Sequence, residues 1–395
     1  MLTAAIALII ASNISYAQEA KDVSVPERQS LLTPVESVDS SLETHGFMSQ
    51  GYVQSTNNNF FPDSVQGTTQ FAEIGFNINK QLTPDLRAGF QLFARDYGQG
   101  SNPSFQASFD WFLLDYHWRD WLGIRAGRIK LPFGLYNDTS DIDLARDPIL
   151  LPQSVYPYSN TNFLLAQTGI ELYGIADMSS VGALEYRLYH GTIEVNTAYA
   201  PGSPFQILDL YVPYVSGGRV IWDTPLDGLR IGVSSQDLLL STDLVSGSTR
   251  FSVSIPATLT IGSLEYTYKS FQLVAEYSKW WVSSISSNTS LFPNSAQTSE
   301  KYYVMASYRV RNWLRPGLYY SASFPDATNE NQSQNISRDY AAFLRIDLYS
   351  NWIFKLEAHY MDGTAGLSSS LNGGTALSAM PEYWALFLAR TTVSF

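Results

Sequence analysis

Charged side chains are concentrated around one stretch of the chain, which runs from Leu131 to Gln167. Arg128 and Lys130 come directly before it. Within it, four aspartates stand against one arginine, a net charge of −3: Asp138, Asp141, Asp143, Asp147 and Arg146. Charges of both signs inside a narrow, low-dielectric passage act strongly on ions and polar solutes that enter it. These residues therefore predict a charge-selective constriction, provided that the fold encloses them.

Two other interpretations of the aspartates stay open from the sequence. In the first, the aspartates pair with Arg128 or Arg146 and hold the segment in place, a structural role that does not exclude selectivity. In the second, Asp141 and Asp143 bind calcium as an Asp-x-Asp pair, although the remaining oxygen ligands of a calcium loop are missing at the usual spacing.

The histidines do not indicate catalysis. They are scattered along the chain at His45, His117, His190 and His359, and none belongs to an HExxH pair or a nucleophile elbow. Barrel hydrolases need a hydroxyl or an acid beside a histidine. We therefore expect no enzyme activity, no cofactor and no bound metal.

The composition is typical of a chain that exposes apolar surface but has no helix that spans a membrane. Aromatic residues make up 14% of the 395 residues, charged residues only 15%, and the mean hydropathy is −0.09. Soluble domains contain roughly 25% charged residues. The net charge of −12 argues against a nucleic-acid partner. Because there is no cysteine, disulfides and thiol chemistry are excluded.

The first residues predict export from the cytoplasm. Leu2–Ala11 is an apolar run, and Ser15-Tyr16-Ala17 is a small-x-small cleavage site, so we expect a signal peptide over 1–17. It departs from the usual pattern because no basic residue precedes the apolar run. The polar segment 18–44 shows no alternation, which predicts a periplasmic N-terminal extension.

Alternation of apolar and polar residues with a period of two dominates residues 45–395. About sixteen such stretches are joined by connections that alternate between short and long. The last stretch, Pro381–Phe395, has Tyr383 and Phe387 on an apolar face, Arg390 on the other, and ends on an aromatic residue. Only a closed barrel lets strands of this kind cross a bilayer. We therefore predict an all-β, antiparallel transmembrane barrel in the outer membrane.

Basic residues are expected on the inner wall of this barrel. Arg87 and Arg95 in the third stretch lie on the face opposite the apolar one, and Arg125 has the same parity in the fifth. The stretch 131–167 follows the fifth strand and is long for a connection without structure. We expect it to fold into the lumen, so that its aspartates oppose these arginines. Arg128 and Lys130 have lipid-facing parity, which places them near lipopolysaccharide phosphates unless a bulge turns them inward.

Gly127–Gly134, with the sequence GRIKLPFG, resembles the pattern at this place in the phosphate-selective porin (O/P-like) superfamily of outer-membrane channels. The strand count and the terminal Phe395 extend the resemblance loosely over the barrel. It implies a sixteen-stranded, homotrimeric diffusion channel, surrounded by outer-membrane lipid and lipopolysaccharide, that admits small polar or anionic solutes. Three functions stay open: a passive porin, a substrate-specific channel for phosphate or organic acids, and a non-conducting structural or adhesive barrel.

Overall fold

The structure is a computed structural model that describes residues 42–98, 105, 107–140, 142–158, 166–195 and 205–395. In these residues sixteen antiparallel strands form one closed barrel, in which each strand pairs with its neighbours in sequence and the first pairs with the last. The strands are β1 (Leu42–Ser55), β2 (Ala72–Thr83), β3 (Leu86–Asp96), β4 (Ser108–Arg119), β5 (Leu122–Lys130), β6 (Ala166–Asp177), β7 (Ala183–Thr192), β8 (Gln206–Asp223), β9 (Leu229–Ser246), β10 (Thr249–Tyr268), β11 (Phe271–Ser286), β12 (Ser295–Tyr308), β13 (Leu314–Phe324), β14 (Ser337–Tyr349), β15 (Trp352–Asp362) and β16 (Tyr383–Ser394). The predicted closed, all-β antiparallel barrel is confirmed.

The two ends of the described chain close the barrel. In the β1–β16 pair, Gly51 lies opposite Arg390, and Gly46 and Phe395 exchange two backbone hydrogen bonds of 2.9 Å. Glycine suits position 46 because a Cβ there would lie 2.5 Å from the ring of Phe395. This closure leaves no strand edge unpaired, which a lipid environment requires.

The first strand begins at Leu42, whereas the sequence predicted that the barrel begins at residue 45. Its first residues already pair with β2, since Leu42 lies opposite Lys80. The predicted signal peptide, 1–17, and most of the predicted extension lie outside the described residues. No helix in the described part of the chain is long and apolar enough to cross a membrane.

Along most of its length, each strand presents an apolar face to the outside and a mostly polar face to the inside. On β16, Tyr383 and Phe387 are exposed on the outer face, whereas Arg390 and Thr392 are buried on the inner face. The same alternation runs through β1, β14 and β15. An apolar outer face of this kind is what hydrocarbon contacts in a transmembrane barrel.

The hairpin of β9 and β10 departs from the sequence prediction. Alternation of apolar and polar residues over 229–235 and 258–268 predicts that β9 ends near Ser235 and that β10 begins near Thr258, with a long connection between them. Instead, both strands continue to a two-residue turn at Gly247. In the part of the hairpin near this turn, the polarity of the two faces is reversed: Leu240 is buried inside and Asp237 is exposed outside.

Candidate functional site

The chain between β5 and β6 is attached to the inward faces of strands that are distant in sequence. Its described residues, 131–140 and 142–158, are called the inner segment below. It contains two short 3-10 turns, Asn137–Thr139 and Asp143–Ala145. The inner segment makes hydrogen bonds or ion pairs with inward side chains of β7–β9 and of β11–β16. It therefore lies inside the barrel.

Asp138 attaches the inner segment to β7 and β8. Its two carboxylate oxygens each lie 2.7 Å from a guanidinium nitrogen, one of Arg187 and one of Arg219. Arg219 also donates to the backbone oxygen of Gly134, at 3.1 Å. Burial alone would raise the pKa of Asp138, but the two guanidinium groups outweigh burial and hold the pKa below its usual value. Asp138 is therefore held as a carboxylate.

Asp143 attaches the inner segment to β15 and β16. The ammonium of Lys355 lies 3.0 Å from one carboxylate oxygen, and the hydroxyl of Thr392 donates to the other at 2.6 Å. Arg146 and Arg390 lie farther away, at 3.6 and 3.8 Å. Burial would raise the pKa of Asp143, but Lys355 and Arg146 hold it below its usual value.

Asp147 attaches the inner segment to β12, β13 and β14. Arg315 donates to one of its oxygens at 2.5 Å, and the hydroxyl of Ser307 donates to the other at 2.8 Å. Arg345 lies 4.0 Å from Asp147 and donates to the backbone oxygen of Leu144 at 2.6 Å. The three described aspartates thus bind bases on three different parts of the wall.

Two carboxylates of the wall also hold the inner segment, through its backbone and a tyrosine. Glu357 on β15 accepts hydrogen bonds from the backbone nitrogens of Ile149 and Leu150. Glu276 on β11 accepts from the backbone nitrogen of Leu135, at 2.9 Å, and from the hydroxyl of Tyr156. Around Glu276 the anchoring donors are neutral, in contrast to the ion pairs of the aspartates.

Two of the arginines predicted for the inner wall, Arg87 and Arg125, bind acids of the wall. Arg87 lies 2.8 Å from Asp115, and Arg125 lies 3.2 Å from Asp115 and 3.0 Å from Glu171. Arg95 stacks on the inner segment, with its guanidinium 5.7 Å from the ring centroid of Tyr158. Among the described residues, Arg87 and Arg125 are thus paired with acids of the wall and not with Asp138, Asp143 or Asp147.

Among the predicted bases, Arg146 lies 3.6 Å from Asp143. The bases of the wall that pair with the aspartates were not among the predicted site residues: Arg187, Arg219, Arg315, Arg345, Lys355 and Arg390, on β7, β8, β13, β14, β15 and β16. In the sequence of β7, Leu184, Tyr186 and Leu188 alternate with Glu185, Arg187 and Tyr189, which places Arg187 on the more polar face, so parity is a usable signal. Which wall position meets which aspartate depends on the path of the inner segment, and alternation carries no information about that path.

Arg128 and Lys130 are directed differently from what regular parity predicts. Lys130 lies 3.0 Å from Asp110, which accepts a hydrogen bond from the inward-facing Gln91. Arg128 donates to the backbone oxygen of Asp110 at 2.9 Å. The strand is irregular here because Gly127 has a φ of +133°, and the register shifts beside Gln91. The bulge that the sequence left open as an alternative is therefore consistent with this geometry.

No cluster of three or more histidine, aspartate or glutamate side chains suitable for a metal ion occurs among the described residues. Asp141, one half of the Asp-x-Asp pair, lies outside the described residues. Asp143, the other half, has its two oxygens bound to Lys355 and Thr392.

Comparison with known proteins supports the fold and not a family. No protein-family model matches the chain, and no curated protein matches it. Among solved structures, an anion-selective porin from Comamonas acidovorans superposes with a TM-score of 0.56, at 13% identity, over 90% of this chain and 99% of that chain. The fold is that of a porin.

Two further porin-fold structures superpose over a similar length. The trimer form of OmpT, an outer-membrane protein of Vibrio cholerae, gives a TM-score of 0.54 at 12% identity, over 90% of this chain and 99% of that one. OmpF of Salmonella typhi, in complex with daunomycin, gives 0.52 at 13% identity, over 90% and 97%. The chain is thus a β-barrel of the bacterial outer-membrane type, with an inner segment attached to its wall.

Proposed function

We propose that the protein is an outer-membrane porin that admits small hydrophilic solutes by passive diffusion. The observation that carries the proposal is the inner segment, which is bound to inward side chains of nine strands within a closed barrel. A segment held inside the lumen at this many points narrows the passage and stays in place. Solutes are then selected by their size and charge through a fixed constriction. Neither a catalytic constellation nor an enzyme activity is part of the proposal.

The charges of the wall support at most a modest preference for anions. Most inward bases are neutralised by a carboxylate within hydrogen-bond distance, as Arg125 is by Asp115 and Glu171. Arg87 also pairs with Asp115 but is accessible, since 43% of its side chain is exposed while only 6% of Asp115 is. An accessible cation next to a buried anion leaves a positive surface towards the lumen. Arg87 therefore contributes to the proposed anion preference.

One observation favours a second candidate, a barrel that conducts little or nothing. Inward side chains near the inner segment are buried, including Gln91, Glu171 and Lys355, which are at most 1% exposed. A passage wide enough for solutes must be lined by accessible side chains. In the second candidate the barrel has a structural or adhesive role, carried by its long connections.

Ion current through the purified full-length protein in a planar bilayer, under a salt gradient, decides between these candidates. We expect discrete conductance steps and a reversal potential with weak anion preference. A strongly anion-selective current that phosphate or a dicarboxylate blocks would instead identify a substrate-specific channel. Correctly folded barrels without any current would overturn the diffusion channel and leave the structural role.

The proposal includes the partners of the barrel. We propose a homotrimer embedded in outer-membrane lipid and lipopolysaccharide, supported by the porin fold and by the trimer form known for the Vibrio cholerae protein. Light scattering of the detergent-solubilised protein measures the mass of the assembly. A mass of one chain in mild detergent would contradict the trimer.

A further inference from the structure

Lys301 differs from the other bases of the inner wall in its surroundings. It faces inward on β12, with Ser278 of β11 and Ser323 of β13 as its direct neighbours in the sheet. Its ammonium lies 4.6 Å from the ring centroid of Trp280, a cation–π contact. Among the described residues no carboxylate lies within ion-pair distance of Lys301. Arg187, Arg219 and Lys355, in contrast, are each paired with an acid.

The carboxylates of β11 and β12 that neighbour Lys301 in the sheet bind other groups. Glu276, one inward row away on β11, accepts hydrogen bonds from Tyr303 and Ser263 in addition to those from the inner segment. Glu300 is the sequence neighbour of Lys301, but it faces the lipid side and pairs with Lys279 at 2.5 Å. The charge of Lys301 is therefore not neutralised by the wall around it.

The hydroxyl group beside Lys301 on β11 also lacks a partner. Ser278 is only 1% exposed, and its hydroxyl has no hydrogen-bond partner in the described structure. A buried hydroxyl without a partner costs free energy, so such groups usually have a ligand or water. A lone cation next to an unsatisfied hydroxyl donor is an arrangement that a single carboxylate group satisfies.

The position of this group fits a solute that approaches the inner segment. Ser154 of the inner segment binds Ser321 and the backbone of Tyr302, and Lys301 and Ser323 form the next inward row towards the long connections. Lys301 is partly exposed. The site therefore lies one inward row from the point at which Ser154 binds the wall.

We propose that Lys301, Ser278 and Ser323 form a binding subsite for the carboxylate of a small organic acid on its way through the barrel. The inference rests on the proposed diffusion channel and specifies its solute class. One cation flanked by hydroxyls balances one negative charge, which favours a monocarboxylate over a divalent phosphate. The ring of Trp280, which contacts the ammonium of Lys301, lies beside the site and gives the organic part of the acid an apolar contact.

Binding is tested without any need for current. Fluorine NMR of para-fluorobenzoate, titrated with the full-length protein in detergent, reports the dissociation constant. Removal of a charge-assisted hydrogen bond predicts that K301Q weakens binding about tenfold. S278A, which removes one neutral donor, should weaken it about threefold. The matched control is K279Q, on the same strand pair but lipid-facing and paired with Glu300, and it should bind like the wild type.

Bilayer measurements complete the test and separate the two proposals. K301Q should also shift the reversal potential towards lower anion preference, while K279Q leaves it unchanged. Equal para-fluorobenzoate binding by wild type, K301Q and S278A would overturn the subsite. Binding that depends on Lys301, in a barrel without current, would keep the subsite and overturn the diffusion channel. Inorganic phosphate that competes with para-fluorobenzoate at lower concentration than acetate would overturn the monocarboxylate assignment.

Discussion

The inner segment is attached to the barrel in two chemically different ways. In the first, called the charged side below, Asp138, Asp143 and Asp147 form ion pairs with arginines and a lysine on separate parts of the wall, on β7, β8 and β13–β15. In the second, called the Glu276 side, Glu276 binds neutral donors next to a buried apolar cluster that includes Phe133. Hence one attachment depends on charge and the other on hydroxyls and packing.

The difference matters because the two attachments fail in different ways. A buried ion pair contributes modestly as a whole, but removal of one partner leaves a buried charge uncompensated and is strongly destabilising. Loss of one hydrogen bond from a neutral donor costs less free energy, and apolar packing does not respond to protonation. We therefore expect the charged side to be sensitive to single substitutions and acid, and the Glu276 side to be comparatively insensitive.

Replacing Lys355 with methionine should have the largest effect. Its buried ammonium binds the carboxylate of Asp143 at 3.0 Å and the backbone oxygens of Asp143, Arg146 and Pro148, at 2.5, 2.8 and 3.3 Å. Loss of one partner of a buried pair costs about 3–5 kcal/mol. Urea unfolding of the protein in lipid vesicles should show a loss of this size in the unfolding free energy.

The control for Lys355→Met is the double variant Asp143→Asn/Lys355→Met. Because it also removes the uncompensated carboxylate, it should recover part of the lost unfolding free energy, and the double-mutant cycle isolates the coupling. A loss below about 1 kcal/mol for Lys355→Met alone would show that the ion pair does not anchor the segment.

The sequence predicted the faces of the strands but not how they meet. Period two was sufficient to place Arg87 and Arg125 inside, since parity depends only on the strand itself. The period-two pattern did not reveal that Asp115 and Glu171 pair with these arginines, because the pairing depends on the register between strands and on the directions of the inward side chains. It also did not reveal the partners of Asp138, which depend on the path of the inner segment across the lumen.

The misread β9–β10 hairpin has a separate physical cause. The prediction assumed apolar residues outside and polar residues inside along a whole strand. Near the turn at Gly247, Leu240 and Leu244 on the inner face belong to the same buried apolar cluster as Phe133 of the inner segment. On the outer face, Asp237 and Asp243 are exposed. Such a reversal is expected where a strand extends beyond the hydrocarbon layer, and a single parity rule then misassigns it.

Acid should weaken the charged side in particular. Asp138 and Asp143 have pKa values below the usual one in the folded protein. Their contribution to stability is therefore present above the ordinary carboxyl pKa of about 3.9, and it is lost as the pH falls through the lowered folded values. We expect the unfolding free energy in urea to fall steeply below about pH 4.

The variant Asp138→Asn/Asp143→Asn tests the origin of this acid effect. It should have a lower unfolding free energy at neutral pH and a flatter pH dependence below about pH 4, because two of the titrating groups are gone. If wild type and double variant lose stability in parallel as the pH falls, other carboxylates cause the acid effect.

Glu276→Gln should have a smaller effect than Lys355→Met. The amide keeps one acceptor oxygen for the donors now shared by the carboxylate, which include Tyr156, Tyr303, Ser263 and the backbone of Leu135. Loss of one or two such bonds predicts a decrease of about 1–3 kcal/mol in the unfolding free energy. A decrease larger than that of Lys355→Met, in the same urea assay, would reverse the comparison between the two sides.

The smallest effect on stability is expected for Arg87→Gln. Arg87 is 43% exposed, and accessible ion pairs contribute about 0–1 kcal/mol. Arg125→Gln is the matched comparison, since Arg125 binds the same Asp115 but is buried, so it should lose more unfolding free energy. Yet Arg87→Gln should reduce the anion preference of the reversal potential, because an accessible charge acts on passing ions whether or not it stabilises the fold. An unchanged reversal potential would exclude Arg87 from selectivity.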